Sequence, residues 1–194
     1  MTKSDSDNSD TDKDEEVHVE GSNVYFYSDV SSESISNLIR KLKILDKKLR
    51  KKAIDLDGYK PKIKLYIRSD GGDVYAGFSG MDHITGLKTP VITIADGYCA
   101  SAATFLLMAG SKRIATPSTY ILIHQITSGG FWGKYEELKE EMETCDKLMN
   151  KLKNIYTTKT EIPEKTLKKL FKKDIMLNAE KCLEYKIVDK IAYP

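Results

Sequence analysis

The chain has 194 residues, 40% of them hydrophobic and 31% charged, with a formal net charge of +2. That length suits one substantial core rather than two, and that balance excludes a disordered or lipid-embedded chain. Near-neutral charge gives no sign of nucleic acid. The apolar runs at residues 91 to 95 and 104 to 109 are interrupted by Asp96, Gly97 and Ser101, well short of the roughly 20 residues a membrane span needs.

Residues 1 to 20 are rich in Ser, Asp and Asn and nearly devoid of apolar side chains, so they are expected to form an acidic flexible tail outside a single domain of residues 21 to 194. The start has no apolar h-region, so no leader is expected. Residues 23 to 27 (NVYFY) predict a first strand, with capping chemistry at Asp29, Ser31 and Ser32. Ile35, Leu38, Ile39, Leu42, Leu45 and Leu49 then recur at helical spacing. The lysines fall on the opposite face, a pattern that reads as solvated or, less simply, as a site for an anionic partner.

Residues 63 to 67 (IKLYI) predict a strand running into Ser69-Asp70-Gly71-Gly72-Asp73, followed by a helix with Tyr75, Phe78, Met81 and Ile84. The order repeats at residues 91 to 95 (VITIA), which lead through Gly97-Tyr98-Cys99-Ala100 into a helix starting near Ser101. It nearly repeats with a strand at 120 to 123, His124, a Ser128-Gly129-Gly130 loop and a long helix at 135 to 156 that offers Leu148, Met149, Leu152 and Ile155 for burial. A short helix after Pro163 carries Leu167, Leu170 and Phe171. Asn178 caps a last helix, and residues 188 to 191 close the fold as a strand. Strands alternating with helices argue an α/β class with largely parallel pairing.

Ser101 stands between small residues where a strand gives way to a helix, so the next backbone N–H could face a developing oxyanion. The same serine could equally be a helix cap worth about 1 kcal/mol. Gly71-Gly72 could expose a second N–H without a Cβ in the way, or be only a tight turn. His124 ends a strand at the same sheet edge, where open α/β folds bind ligands; it could be structural. Asp174, among Lys172, Lys173 and an apolar run, could be a surface acid. Together they match chemistry that needs a nucleophile, a base and a group orienting the base. His18 in the tail and His83 on a helix are read as non-catalytic. Cys99, Cys145 and Cys182 are odd in number and lack any CxxC pair, which fits neither disulfides nor zinc and suits a reducing cytoplasm.

Four motifs in order and spacing carry a resemblance: Ser69-Asp-Gly-Gly; Gly97-Tyr-Cys-Ala-Ser101-Ala-Ala; Ile121-Leu-Ile-His124-Gln125; and Asp174-Ile-Met-Leu-Asn-Ala-Glu with Leu183-Glu-Tyr-Lys-Ile-Val-Asp189. From about residue 23 to 191 the chain resembles the ClpP family, the proteolytic subunit of the ATP-dependent Clp protease. The resemblance implies a ClpP/crotonase-like fold of repeated ββα units with a protruding handle helix. It implies a Ser101, His124, Asp174 triad and an oxyanion hole made by the backbone N–H groups of Gly72 and Ala102. It further implies a homo-oligomer of two stacked heptamers, acting in the cytoplasm on unfolded proteins delivered by an AAA+ unfoldase of the Clp type. No cofactor or metal is expected in this chain. It has no GxxxxGK[ST] loop, so ATP would be used by the partner ATPase.

Three positions depart from the family pattern. Asp70 replaces a common proline, Lys173 a frequent arginine, and Lys64 one of two tyrosines of which Tyr66 remains. Turn rigidity, ion pairing near Asp174 and ATPase docking are the properties these changes would touch. The alternatives are a crotonase-fold acyl-CoA enzyme, which would not need the three triad residues together, and a non-catalytic ClpP-like ring subunit, which would typically lose one of them. A Ser-Lys peptidase related to signal-peptide peptidases lacks a lysine that stands out as a base.

Overall fold

The computed structural model describes residues 17 to 193. Strand β1 (Val17–Glu20) turns back on β2 (Asn23–Phe26) as an antiparallel hairpin, and helix α1 (Ser32–Asp55) follows. Then come β3 (Ile63–Ser69), α2 (Val74–Thr85), β4 (Val91–Ala100), α3 (Ala103–Met108), β5 (Lys112–Ala115) and β6 (Tyr120–Leu122). The chain ends with α4 (Tyr135–Lys159), α5 (Glu164–Lys172), β7 (Met176–Asn178), α6 (Ala179–Glu184) and β8 (Lys190–Ile191). The main sheet runs β1-β2-β3-β4-β5-β8 and is parallel from β2 onward.

Period and capping explain the elements. Ser31 caps α1 with a reciprocal hydrogen bond to Ser34, and Ile35, Leu38, Leu42, Leu45 and Leu49 bury one stripe of the helix. Ile63, Leu65 and Ile67 are fully buried on one face of β3, each worth roughly 1.5 to 3 kcal/mol against exposure. On the other face Tyr66 stacks on Tyr25 with ring centroids 4.8 Å apart. Asp73 caps α2 by accepting from the Ala76 N–H, and Asn178 caps α6 by accepting from the Lys181 N–H.

Strand β4 changes partners midway. Its first half lies between β3 and β5; beyond Gly97, whose φ is 79°, the strand leaves β5 and its last residues pair with β6. The register against β3 shifts there, with Ile67 opposite Ala95 but Ser69 opposite Cys99. Buried Thr119 satisfies the backbone groups freed at the bend. Its hydroxyl accepts from the Gly97 N–H at 3.2 Å and donates to the Ala95 carbonyl at 2.9 Å.

Several expectations change. The tail expected over residues 1 to 20 lies outside the described residues as far as position 16, but Val17–Glu20 is strand, because Val17 and Val19 alternate with His18 and Glu20. His18 is therefore a strand residue. Residues 97 to 100 continue β4 instead of forming a turn, and α3 starts at Ala103. Strands β5 and β7 were not expected. Pro163 is the residue before α5 rather than its first. Leu152 and Ile155 bury within their own subunit, whereas Trp132, Tyr135 and Met142 are exposed.

Thr119→Val should lower stability by about 0.5 to 1.5 kcal/mol, since it removes the hydroxyl's bonds to Gly97 and Ala95 while Thr116 still bonds both groups. Chemical denaturation checks this; an unchanged midpoint would show that the bend does not depend on Thr119.

Candidate active site

Ser101 lies one residue past the end of β4 and has a φ of 52°. That left-handed conformation is uncommon for a residue other than glycine and costs on the order of 1 to 3 kcal/mol. An N-cap serine has extended backbone and accepts an amide of the first turn. Ser101 does neither, and Ala102 occupies the cap position of α3 with no side-chain cap bond. The cap reading is thereby excluded. A strained serine between strand and helix raises its Oγ above the sheet edge.

The glycine pair packs directly on this turn. A Cβ built on Gly71 would lie 2.6 Å from Ser101 Cβ, and one on Gly72 would lie 2.3 Å from the Val30 carbonyl oxygen. Their φ values of 96° and 139° also favour glycine. Neighbouring amides are committed: Gly71 N–H donates to Ser69 Oγ at 3.1 Å, Asp73 N–H to the Val30 carbonyl at 2.7 Å, and Ser101 N–H to the Leu122 carbonyl at 2.9 Å. Among the described residues, the N–H groups of Gly72 and Ala102 have no acceptor. Both residues line the cavity that Ser101 lines. Two unspent donors beside a serine are what an oxyanion requires.

His124 and Asp174 come together through the β6–β7 ladder. Leu122 pairs with Met176 in antiparallel register, and His124 and Asp174 stand two residues beyond that pair on each strand. The Gln125 N–H to Phe171 carbonyl bond, 3.2 Å, holds the two segments past the ladder. His124 Nδ1 lies 3.8 Å from Asp174 Oδ1, with side chains 18% and 78% exposed. That is longer than a hydrogen bond, and contacts of this kind commonly tighten only with substrate bound. With Nδ1 toward the acid, Nε2 is the nitrogen left for a serine proton.

The cavity is about 260 Å³, lined by Gly72, Ser101, Ala102 and His124 on one side and by Phe105, Leu148, Leu152 and Tyr156 on the other. Asp174 does not line it. Gln125, Ile126, Glu141 and Cys145, none of them a candidate site residue in the sequence reading, do line it; their spacing on a loop and a charged helix carries no separate signal. Cys99, two residues before Ser101, is fully buried with its thiol pushed up by that burial, so it is no competing nucleophile. His83 lies on α2 and outside this cavity.

Such an arrangement suits acyl transfer by an activated serine on a largely parallel α/β sheet, and comparison with known proteins agrees. The sequence model of the Clp protease family matches residues 9–194. The ATP-dependent Clp protease proteolytic subunit of Deinococcus radiodurans is 36% identical over 140 residues, covering 70% of this chain and 68% of that protein. Proteolytic subunit 2 of Treponema denticola is 34% identical over 166 residues, covering 84% of this chain and 78% of that protein. In fold, the chain superposes on a ClpP1 point mutant from Listeria monocytogenes with a TM-score of 0.76 at 22% identity, over 90% of this chain and 92% of that one. The chain belongs to the Clp protease family, and its class is the ClpP-type peptidase; the crotonase-type alternative is not favoured.

Burial raises the Cys182 thiol to about 12 and the Cys99 thiol further, so both hold little thiolate near neutral pH. Iodoacetamide at pH 8 should therefore label Cys145, which is partly exposed, well before the other two, with all three labelled after unfolding. Early labelling of Cys99 would contradict this packing.

Proposed function

We propose that the chain is a serine endopeptidase subunit in which Ser101 attacks the scissile carbonyl, His124 takes the serine proton and passes it to the leaving amine, and Asp174 orients the imidazole. The backbone N–H groups of Gly72 and Ala102 hold the oxyanion of the tetrahedral intermediate. Water, activated by His124, then releases the acyl group. The observation that carries this reading is the strained Ser101 turn beside two amides without acceptors, in one cavity with His124. Retention of Ser101, His124 and Asp174 together favours a catalytic subunit over a non-catalytic one.

We further propose that the subunits form two stacked heptameric rings whose chamber admits unfolded polypeptides. The relatives are named as subunits of an ATP-dependent protease. A separate AAA+ unfoldase of the Clp type would use the ATP, since this chain has no phosphate-binding glycine loop. The chain itself would need no cofactor. Trp132, 95% exposed, and Tyr135 at the start of α4 offer apolar surface for contact between rings. Three unpaired cysteines suit a reducing cytoplasm as the place of action.

Ser101→Ala should abolish labelling by a fluorophosphonate probe and lower peptide cleavage by about 10³- to 10⁶-fold, while the particle mass by light scattering stays that of the unsubstituted assembly. Cleavage surviving in a preparation free of host peptidases would remove the triad assignment.

A further inference from the structure

Two buried hydroxyls connect α4 to the turn that holds Ser101. The Tyr156 hydroxyl lies 2.6 Å from Thr104 Oγ1, and Thr104 Oγ1 lies 2.5 Å from the Ser101 carbonyl oxygen. Tyr156 is 1% exposed and Thr104 fully buried, so both hydroxyls sit away from bulk solvent. The proton count fixes their direction. A carbonyl oxygen only accepts, so Thr104 donates its single hydroxyl proton to Ser101. Tyr156 must then donate to Thr104. Burial pushes the Tyr156 phenol upward, so it keeps that proton across the working pH range.

The Ser101 carbonyl also accepts from the Thr104 N–H at 3.0 Å. A threonine in the first turn of a helix often bonds back to a carbonyl one turn earlier. The second hydroxyl, donated from a different helix, is the added feature: it orients the threonine from outside. The carbonyl it holds shares a peptide plane with the Ala102 N–H. Because that plane is rigid and trans, fixing the carbonyl on one side fixes the N–H on the other.

We propose that Thr104 and Tyr156 are positioning residues that lock the Ser101–Ala102 peptide and so aim the Ala102 N–H at the oxyanion. The proposal rests on the serine-peptidase reading given above. Neither side chain needs to touch the reacting atoms through its hydroxyl; each acts through the peptide plane.

Thr104→Val keeps the shape and removes the hydroxyl, Tyr156→Phe removes one oxygen, and Thr104→Ser keeps the hydroxyl without the methyl group. Each assembled variant is titrated to completion with the fluorophosphonate, so that kcat is expressed per reactive Ser101. Loss of a whole oxyanion donor costs about 10²- to 10³-fold in kcat, so a misaimed one should cost about 10- to 100-fold. Thr104→Val should show that loss with KM for a short peptide nearly unchanged, and should weaken a peptide boronate, which forms a tetrahedral adduct, by a similar factor. Thr104→Ser should restore most of the rate. Tyr156→Phe should lower kcat less than Thr104→Val and add little in the double variant, because both act on one bond chain. Wild-type kcat per titrated site in Thr104→Val, or equal loss in Thr104→Ser and Thr104→Val, would overturn the proposal. A wild-type protein that takes no probe at Ser101 would overturn the catalytic reading and this proposal together, whereas normal probe uptake with unaffected variants would overturn this proposal alone.

Discussion

Strand register is the constraint on which the site depends. Ser69 sits opposite Cys99, so the parallel strands, continued by two residues, bring Gly71 alongside Ser101. Ala100 pairs with Leu122 on the other side, and Leu122 pairs with Met176, which carries the same alignment out to His124 and Asp174. Four chain segments thus deliver their chemistry to one sheet edge without any long side chain having to reach. Slipping one strand by a single residue would turn its side chains to the opposite face and separate the groups. The close approach of Gly71 to Ser101, where a Cβ would come within 2.6 Å, is the steric consequence of that alignment.

Holding Ser101 in a left-handed conformation has a cost that the surroundings must offset. Its N–H and carbonyl are both bonded within the fold, to Leu122 and Thr104, and the helix behind it is buried throughout. The glycine turn is braced in a comparable way. Val30 donates to the Gly71 carbonyl at 2.7 Å and accepts from the Asp73 N–H at the same distance, while Ser69 Oγ accepts from Gly71. Asp70 in place of the family's common proline therefore leaves the turn with three hydrogen bonds to fix it. On the outer face of the sheet, Arg68 lies over the Tyr27 ring at 3.9 Å and near Asp96, and burial together with Asp96 raises the Tyr27 phenol to about 12. With Lys64 exposed beside Tyr66, that face is more charged than two tyrosines would make it.

Periodicity made the long elements legible. The stripe of Ile35, Leu38, Leu42, Leu45 and Leu49, the alternation of Ile63, Leu65 and Ile67, and the caps Ser31 and Asn178 are local signals, and the structure uses them as read. What was not legible depends on non-local pairing. The strand at Met176–Asn178 has three residues and exists because β6 offers it an antiparallel edge; nothing in three residues announces that. The continuation of β4 through Gly97 was read as a turn because glycine commonly marks one, while the stabilising Thr119 lies over twenty residues away. At the site, the serine turn and glycine pair each had an ordinary alternative, and only their contact in space separates the readings.

Helix α4 shows how one charged, amphipathic helix divides between core and surface. At 25 residues it is roughly 37 Å long, more than the subunit can cover. Its C-terminal half is core, with Leu152, Ile155 and Tyr156 buried against the domain, so the apolar residues that might have been saved for another subunit are already spent. Its N-terminal half carries Tyr135 and Met142 into solvent. Between the halves, Cys145 and Leu148 form part of the cavity wall facing Ser101. The same helix therefore closes the core, walls the cavity and projects beyond it. Any contact that shifts the projecting half acts on a rigid rod that borders the cavity lined by Ser101.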